Sequence, residues 1–293
     1  MKYKKLYFAL SLAVILPGLF SLAIWGLKPS VDFAGGSLLE VEVGLPADGV
    51  GESTSNGVVE VTAQAAEVDV KEIQTTSDGT YLLRLNNITE AKKNEILNLY
   101  QVRFGQDNVA EVRFESVGPT IGRELLVKTL VAVFLAAAFI LLYVAWQFKD
   151  RIYGVAAILA MFHDSLILLG IWSLLGHFLK VEADTLFVTA VLTILSFSVH
   201  DTVVVYDRIR ESVKQEPRAD FTYLVNKAVN ETLSRSLNNS LTIIFMLLAL
   251  ALLGGTSIKW FVMALLIGTI AGTYSSTFTA APLLLVLERF GKK

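Results

Sequence analysis

Six runs of apolar residues, each close to the ~20 needed to cross a bilayer as a helix, constrain this sequence more than any other feature. They fall at about Leu6–Leu27, Glu124–Trp146, Ile152–Leu175, Thr185–Tyr206, Leu237–Leu253 and Trp260–Leu287. In hydrocarbon every backbone N–H and C=O must find a partner inside the protein, so such runs fold as helices. The expected fold class is a polytopic α-helical membrane protein with six transmembrane helices. Composition agrees, with 54% hydrophobic residues, 18% charged residues and a mean hydropathy of +0.57. The net charge of −2 leaves no basic footprint for nucleic acid. With no cysteine, disulfides, thiolate metal sites and thiol nucleophiles are excluded. Two of the three histidines sit beside aspartates within apolar runs, an arrangement that does not make a zinc cage. No cofactor is expected.

Charge in the short loops sets the orientation. Lys2, Lys4 and Lys5 precede the first span, and Lys149 and Arg151 fill the second-to-third turn. Arg208, Arg210, Lys214, Arg218 and Lys227 crowd the fourth-to-fifth connection, while Arg289, Lys292 and Lys293 follow the sixth span. The opposite short loops carry only Lys180 and Lys259. Both termini are expected in the cytoplasm. The first span has a basic start, a Pro17-Gly18 break and small residues at Ser21-Leu22-Ala23, as signal peptides do. Its apolar run continues through Ile24-Trp25-Gly26-Leu27, which favours an uncleaved anchor. The expected organisation is 1–29 as first span, 30–120 as an extracytoplasmic domain, and 121–293 as a five-helix bundle with a cytoplasmic loop at 207–236.

The 30–120 segment reads as a small α+β domain. Gly36–Val43 alternates as a strand, Gly44–Gly57 is a Gly/Ser/Asn-rich loop, and Val58–Glu67 suits a helix. Val68–Thr75 and Thr80–Leu85 read as strands around a Ser77-Asp78-Gly79 turn. Thr89 caps a helix running to Phe104, and Asn108–Val117 closes as a strand. The β-α-β-β-α-β order predicts a ferredoxin-like fold. Nothing in it forms a catalytic constellation, and its acids read as a solvated surface.

The chemistry lies in the apolar runs. His163-Asp164 interrupts the third and His200-Asp201 the fourth. A charge in hydrocarbon costs roughly 2.5–3.5 kcal/mol on insertion scales, so it rarely sits there without a partner or a water-filled cavity. Burial favours a neutral carboxyl group and a nearby cation favours the ionised one, so a mobile cation can switch such a group. Arg235, at the entry to the fifth span, has a stem long enough to reach inward. The residues alone also permit static roles: interhelical glue for Asp201, Asp164 and His163, and a topology anchor for Arg235. Phe221, Leu224, Val225, Ala228, Val229 and Thr232 form an amphipathic stripe expected along the membrane surface. Gly268 and Gly272 in the sixth span have close-packing spacing.

Several motifs carry a resemblance. Val31-Asp32-Phe33-Ala34-Gly35-Gly36 follows the first span, and Val117-Gly118-Pro119-Thr120-Ile121-Gly122-Arg123-Glu124-Leu125 precedes the second. Phe162-His163-Asp164-Ser165 lies in the third span, Ser196 through Arg210 closes the fourth, and Ser234-Arg235-Ser236-Leu237-Asn238 opens the fifth. Together, in this order, they resemble the SecF branch of the SecD/SecF protein-export family, within the resistance–nodulation–division superfamily. The resemblance implies a proton-coupling role for Asp201, Arg235, Asp164, His200 and His163, with Arg235 approaching Asp201 in alternation. It implies SecD as partner, action through the SecYEG channel with YajC as a possible associate, and a translocating polypeptide as client. It also implies movement of the outer domain, for which Asp32, Gly35, Gly36, Gly118, Pro119 and Gly122 supply Gly-rich hinges. One departure is visible: the family usually has asparagine where this chain has His200. Neighbouring helix residues point about 100° apart, so His200 is expected to line a helix interface and donate to a backbone carbonyl rather than bond Asp201.

Three function classes compete: a proton-driven accessory subunit of protein export, a half-size proton-coupled efflux transporter, and a passive membrane scaffold. No enzyme activity is expected. The single small outer domain counts against efflux, and the intramembrane acids count against a scaffold.

Overall fold

The computed structural model describes residues 3–44, 59, 63, 66–75, 80–148 and 150–291. In chain order the first elements are α1 (Lys4–Ile24), α2 (Val31–Ala34), β1 (Gly36–Val43), β2 (Val70–Thr75), β3 (Tyr81–Leu85), α3 (Glu90–Phe104) and β4 (Val109–Val117). There follow α4 (Pro119–Gln147), α5 (Arg151–Leu179), α6 (Thr185–Gln215), α7 (Phe221–Leu253), α8 (Thr256–Ser275), a π-helical turn at Ser276–Ala280, and α9 (Ala281–Gly291). The chain divides into two compact units, Pro29–Lys128 and the combination of Met1–Lys28 with Thr129–Lys293.

The Pro29–Lys128 unit is built on a four-stranded sheet of order β2-β3-β1-β4, antiparallel at each pairing. Leu39 lies between Leu83 and Phe114 in register, and Leu39, Val41, Leu83 and Leu85 form the buried face. Helix α3 packs on it through Ile96 and Tyr100, and starts where the Thr89 hydroxyl accepts the Lys92 N–H. Burial pushes the Tyr100 phenol up, and its hydroxyl donates to the Val59 carbonyl at 3.0 Å. This sheet order matches a ferredoxin-like plan. Of the first helix in that plan, expected at Val58–Glu67, Val59 and Ala63 are described, helical and buried. The rest of that helix up to Ala65, the loop beyond Gly44 and the Ser77-Asp78-Gly79 turn lie outside the described residues, as do Lys2, Lys149, Lys292 and Lys293.

Not all the acids of this unit are solvated. Glu40 is buried on β1 and accepts the Thr80 hydroxyl at 2.7 Å, so its charge is met by a donor rather than by water. Lys93 is also buried, paired with Glu111 at 2.9 Å and lying over the Phe114 ring.

Among the described residues six helices are long and apolar enough to cross a membrane. Two of them run further than the hydropathy suggests. Helix α6 continues past Tyr206 to Gln215, so Asp201 stands near its middle rather than close to its end. Helix α7 starts at Phe221, where the Asp220 side chain accepts the Tyr223 N–H, and reaches Leu253 without interruption. The expected loop at 207–236 therefore shrinks to the few residues between Gln215 and Phe221. The stripe expected on the membrane surface is instead buried: Val225, Ala228 and Val229 share a core with Val205, Tyr206 and Ile209 of α6. The apolar face that would have met lipid meets a neighbouring helix.

Helices α1 and α5 touch backbone to backbone. A Cβ on Gly18 would fall 2.9 Å from the Gly170 Cα, and one on Gly170 would fall 2.7 Å from the Gly18 Cα. The approach lets Ser21 and Ser173 hydrogen-bond at 2.7 Å, and Ser173 donate to the Gly26 carbonyl at 2.6 Å.

Candidate functional site

Asp164 on α5 and Asp201 on α6 are both buried, at 0% and 4% exposure. What brings groups to them is close helix packing. Gly268 and Gly272 of α8 face α6: a Cβ on Gly268 would sit 2.4 Å from the Ile194 Cγ1, and one on Gly272 would sit 3.2 Å from the Phe197 Cδ1. The small-residue spacing therefore draws α8 onto α6, as expected of such a motif. The next turn of α8 reaches the acids.

Asp164 Oδ2 accepts the Ser198 hydroxyl at 2.6 Å and the Ser275 hydroxyl at 2.5 Å. Its Oδ1 lies 2.8 Å from the His163 Nδ1, whose ring carries a second nitrogen, Nε2, that is buried and unpartnered among the described residues. Asp201 Oδ2 accepts the Ser236 hydroxyl at 2.5 Å and the Ser276 hydroxyl at 2.9 Å. Consecutive serines thus serve different acids, and the α-helix gives way to a π turn where they meet. Among the described residues no lysine or arginine pairs with either carboxylate.

Four hydroxyls therefore join a site in which the sequence marked only the acids, histidines and arginine. Ser198 and Ser236 lie inside motifs singled out for their charged members. Ser275 and Ser276 open the run Ser275-Ser276-Thr277-Phe278-Thr279, whose four hydroxyls within an apolar span are the signal that would have found them.

The other expected members are placed differently. Arg235 is exposed, and the side chain on Asp201 is that of the next residue, Ser236. Neighbours on a helix point about 100° apart, so one of the two can face α6 at a time. His200 lines a groove of about 300 Å³ together with Phe139, Ile140, Tyr143, Ser196, Val199 and Val203. The expected bond from its ring to a backbone carbonyl is not formed, because the groove leaves the ring exposed. His200→Asn is accordingly expected to keep activity within about twofold of wild type with an unchanged pH profile, since imidazole there contacts neither acid. A pH optimum of activity displaced in that variant would overturn this placement of His200.

The junction residues come together within the Pro29–Lys128 unit. Gly35 and Gly36 have φ of 72° and 124°, and a Cβ on Gly35 would lie 2.8 Å from the Pro119 Cα. A Cβ on Gly122 would lie 3.0 Å from the Gly35 nitrogen and 3.3 Å from the Asp32 carbonyl oxygen. Gly118 accepts the Gly122 N–H as α4 begins at Pro119.

The family described as protein export membrane protein SecD/SecF, C-terminal, matches residues 99–290. This chain belongs to the SecD/SecF family. It is 42% identical to the protein translocase subunit SecF of Anaerolinea thermophila, across 97% of this chain and 92% of that one. It is 41% identical to the protein translocase subunit SecF of Thermobaculum terrenum, across 98% and 93%. The crystal structure of SecDF from Thermus thermophilus, a translocon-associated membrane protein, superposes with a TM-score of 0.82 at 30% identity. That match covers 99% of this SecD/SecF chain but 38% of the SecDF chain, so the longer protein holds a further portion with no counterpart here. The match spans a multi-pass membrane protein, and the two acids lie on two of its membrane-spanning helices.

Proposed function

We propose that this chain is a SecF-type accessory subunit of the Sec protein translocase, which together with SecD uses the proton gradient to promote protein export. The observation that carries the reading is the pair of buried carboxyl groups held by hydroxyls, with His163 beside Asp164 and no lysine or arginine on either among the described residues. A buried carboxylate without a counter-charge is strongly unfavourable, so a cation from solution must accompany the charge each time the site closes. A proton bound and released in this way couples the gradient to helix packing, because four helices contribute to the two clusters: α5, α6, α7 and the α8–π segment.

In this reading the protein lies in the cytoplasmic membrane with both termini in the cytoplasm and the 30–120 domain outside, as the lysine and arginine distribution supports. SecD supplies the portion by which SecDF exceeds this chain, and the pair acts on chains emerging from SecYEG, with YajC as an associate. The packed glycine junctions at Asp32–Gly36 and Gly118–Gly122 pass helix movement to the outer domain. Arg235 enters when α7 turns, exchanging Ser236 for a guanidinium at Asp201.

Two measurements test this. Purification of the tagged chain from membranes should bring SecD with it, and export into membrane vesicles should lose its gradient-dependent component when the chain is removed. Arg235→Lys is expected to lower that component about tenfold or more, because an ammonium group lacks the planar fork that holds a carboxylate bidentately. Full activity of the lysine variant would reduce Arg235 to a topology anchor.

A further inference from the structure

The π turn at Ser276–Ala280 sits where the last membrane-spanning helix meets both acids. The last residue of α8, Ser275, and the first of the turn, Ser276, each have a second acceptor within reach. Ser275 lies 2.5 Å from the Asp164 Oδ2 and 3.3 Å from the Gly272 carbonyl oxygen. Ser276 lies 2.9 Å from the Asp201 Oδ2 and 3.2 Å from the Thr273 carbonyl oxygen. A hydroxyl carries one proton, so each serine donates well to one acceptor at a time.

We infer that Ser275 and Ser276 are positioning residues that read the charge on Asp164 and Asp201 and convert it into the geometry of the π turn. This rests on the reading of the two acids as the coupling site. An ionised carboxylate attracts the serine proton through a charge-assisted bond, the stronger of the two choices. A protonated carboxyl group loses that advantage and presents an O–H of its own, which donates to the serine oxygen. The serine proton then turns to the carbonyl three residues back. Serine bonds to the backbone of their own helix bend it, and a π turn is the place where a helix adjusts its hydrogen-bond register most readily.

The far end of the turn is anchored. The buried Tyr206 hydroxyl on α6 donates to the Ala280 carbonyl at 2.8 Å, and Ser11 on α1 lies 3.4 Å from the Thr279 hydroxyl. A change at Ser275 and Ser276 is therefore taken up within the turn. The groups facing the acids are few. Asp164 meets His163 of α5 and Ser198 of α6, Asp201 meets Ser236 of α7, and Arg235 and His200 are exposed. Tyr206, five residues after Asp201, has its proton on Ala280.

The test is amide hydrogen exchange over residues 276–285 of the full chain, purified with its membrane partner in lipid nanodiscs. Asp164→Asn and Asp201→Asn, each permanently neutral, should change exchange in that segment by about threefold or more, a local opening difference. Acidifying the wild type should give the same change. Ser275→Ala should erase the response to Asp164→Asn alone, and Ser276→Ala the response to Asp201→Asn alone. Threonine at either position, which keeps the hydroxyl, should restore it. A response that persists in the alanine variants, or none in the asparagine variants, overturns the inference. Failure of the coupling reading appears separately, as gradient-driven export that survives Asp201→Asn.

Discussion

Asp201→Asn is expected to abolish gradient-driven stimulation of export while leaving the protein folded and assembled. The amide is nearly isosteric with the carboxyl group, and its oxygen still accepts the Ser236 hydroxyl that Asp201 holds at 2.5 Å, while Ser276 has the Thr273 carbonyl at 3.2 Å as its other acceptor. The bonds to a neutral acceptor are weaker than those to a charged one, by about 1 kcal/mol each. That loss is offset by removal of a charge from a site 4% exposed. What the variant cannot do is take up and release a proton. The measurement compares export into vesicles with and without an imposed proton gradient, alongside the amount of assembled complex. Undiminished stimulation would show that Asp201 is an interhelical anchor.

Gly170→Val is expected to have the largest effect on stability. Its first side-chain carbon would sit within 2.7 Å of the Gly18 Cα, and backbone cannot move aside as the end of a side chain can. Helices α1 and α5 must separate, which also breaks the Ser21–Ser173 contact and the Ser173 bond to the Gly26 carbonyl. Overpacking together with two lost hydrogen bonds amounts to about 2–4 kcal/mol. Thermal unfolding of the detergent-purified chain measures it, with Gly170→Ala expected to lose less. An unchanged midpoint would mean that the crossing is looser than its geometry.

The spans, the strand order and the Thr89 cap were legible because periodicity and apolar length report directly on which groups must leave water. So were Asp164 and Asp201, since an acid in an apolar run stands out by its cost. The serines were not. A hydroxyl in a membrane helix can bond its own backbone, so Ser275 and Ser276 break no rule until their neighbours are known. The choice between Arg235 and Ser236 at Asp201 depends on the rotational phase of α7, and one residue changes that phase by about 100°. The amphipathic stripe at Leu224–Thr232 was read as lipid-facing because the sequence records that a face is apolar without recording what covers it. Glu40 was missed for a similar reason: its partner, Thr80, is distant in the chain.

The uninterrupted course of α7 has a mechanical consequence. Ser236, which touches Asp201, and the Phe221 end lie on one rod, separated by about 22 Å at 1.5 Å per residue. A tilt of ~10° about Ser236 would sweep that end through about 4 Å, the length of the arm multiplied by the angle. Along the arm, Glu231 grips Arg208 at 2.6 Å and Lys227 grips Glu216 at 2.5 Å. A lever of this kind moves its ionic contacts in proportion to their distance from the fulcrum, by about 1 Å at Glu231 and about 2 Å at Lys227 for that tilt. Those two pairs are then the latch against which any tilt of α7 about Ser236 works.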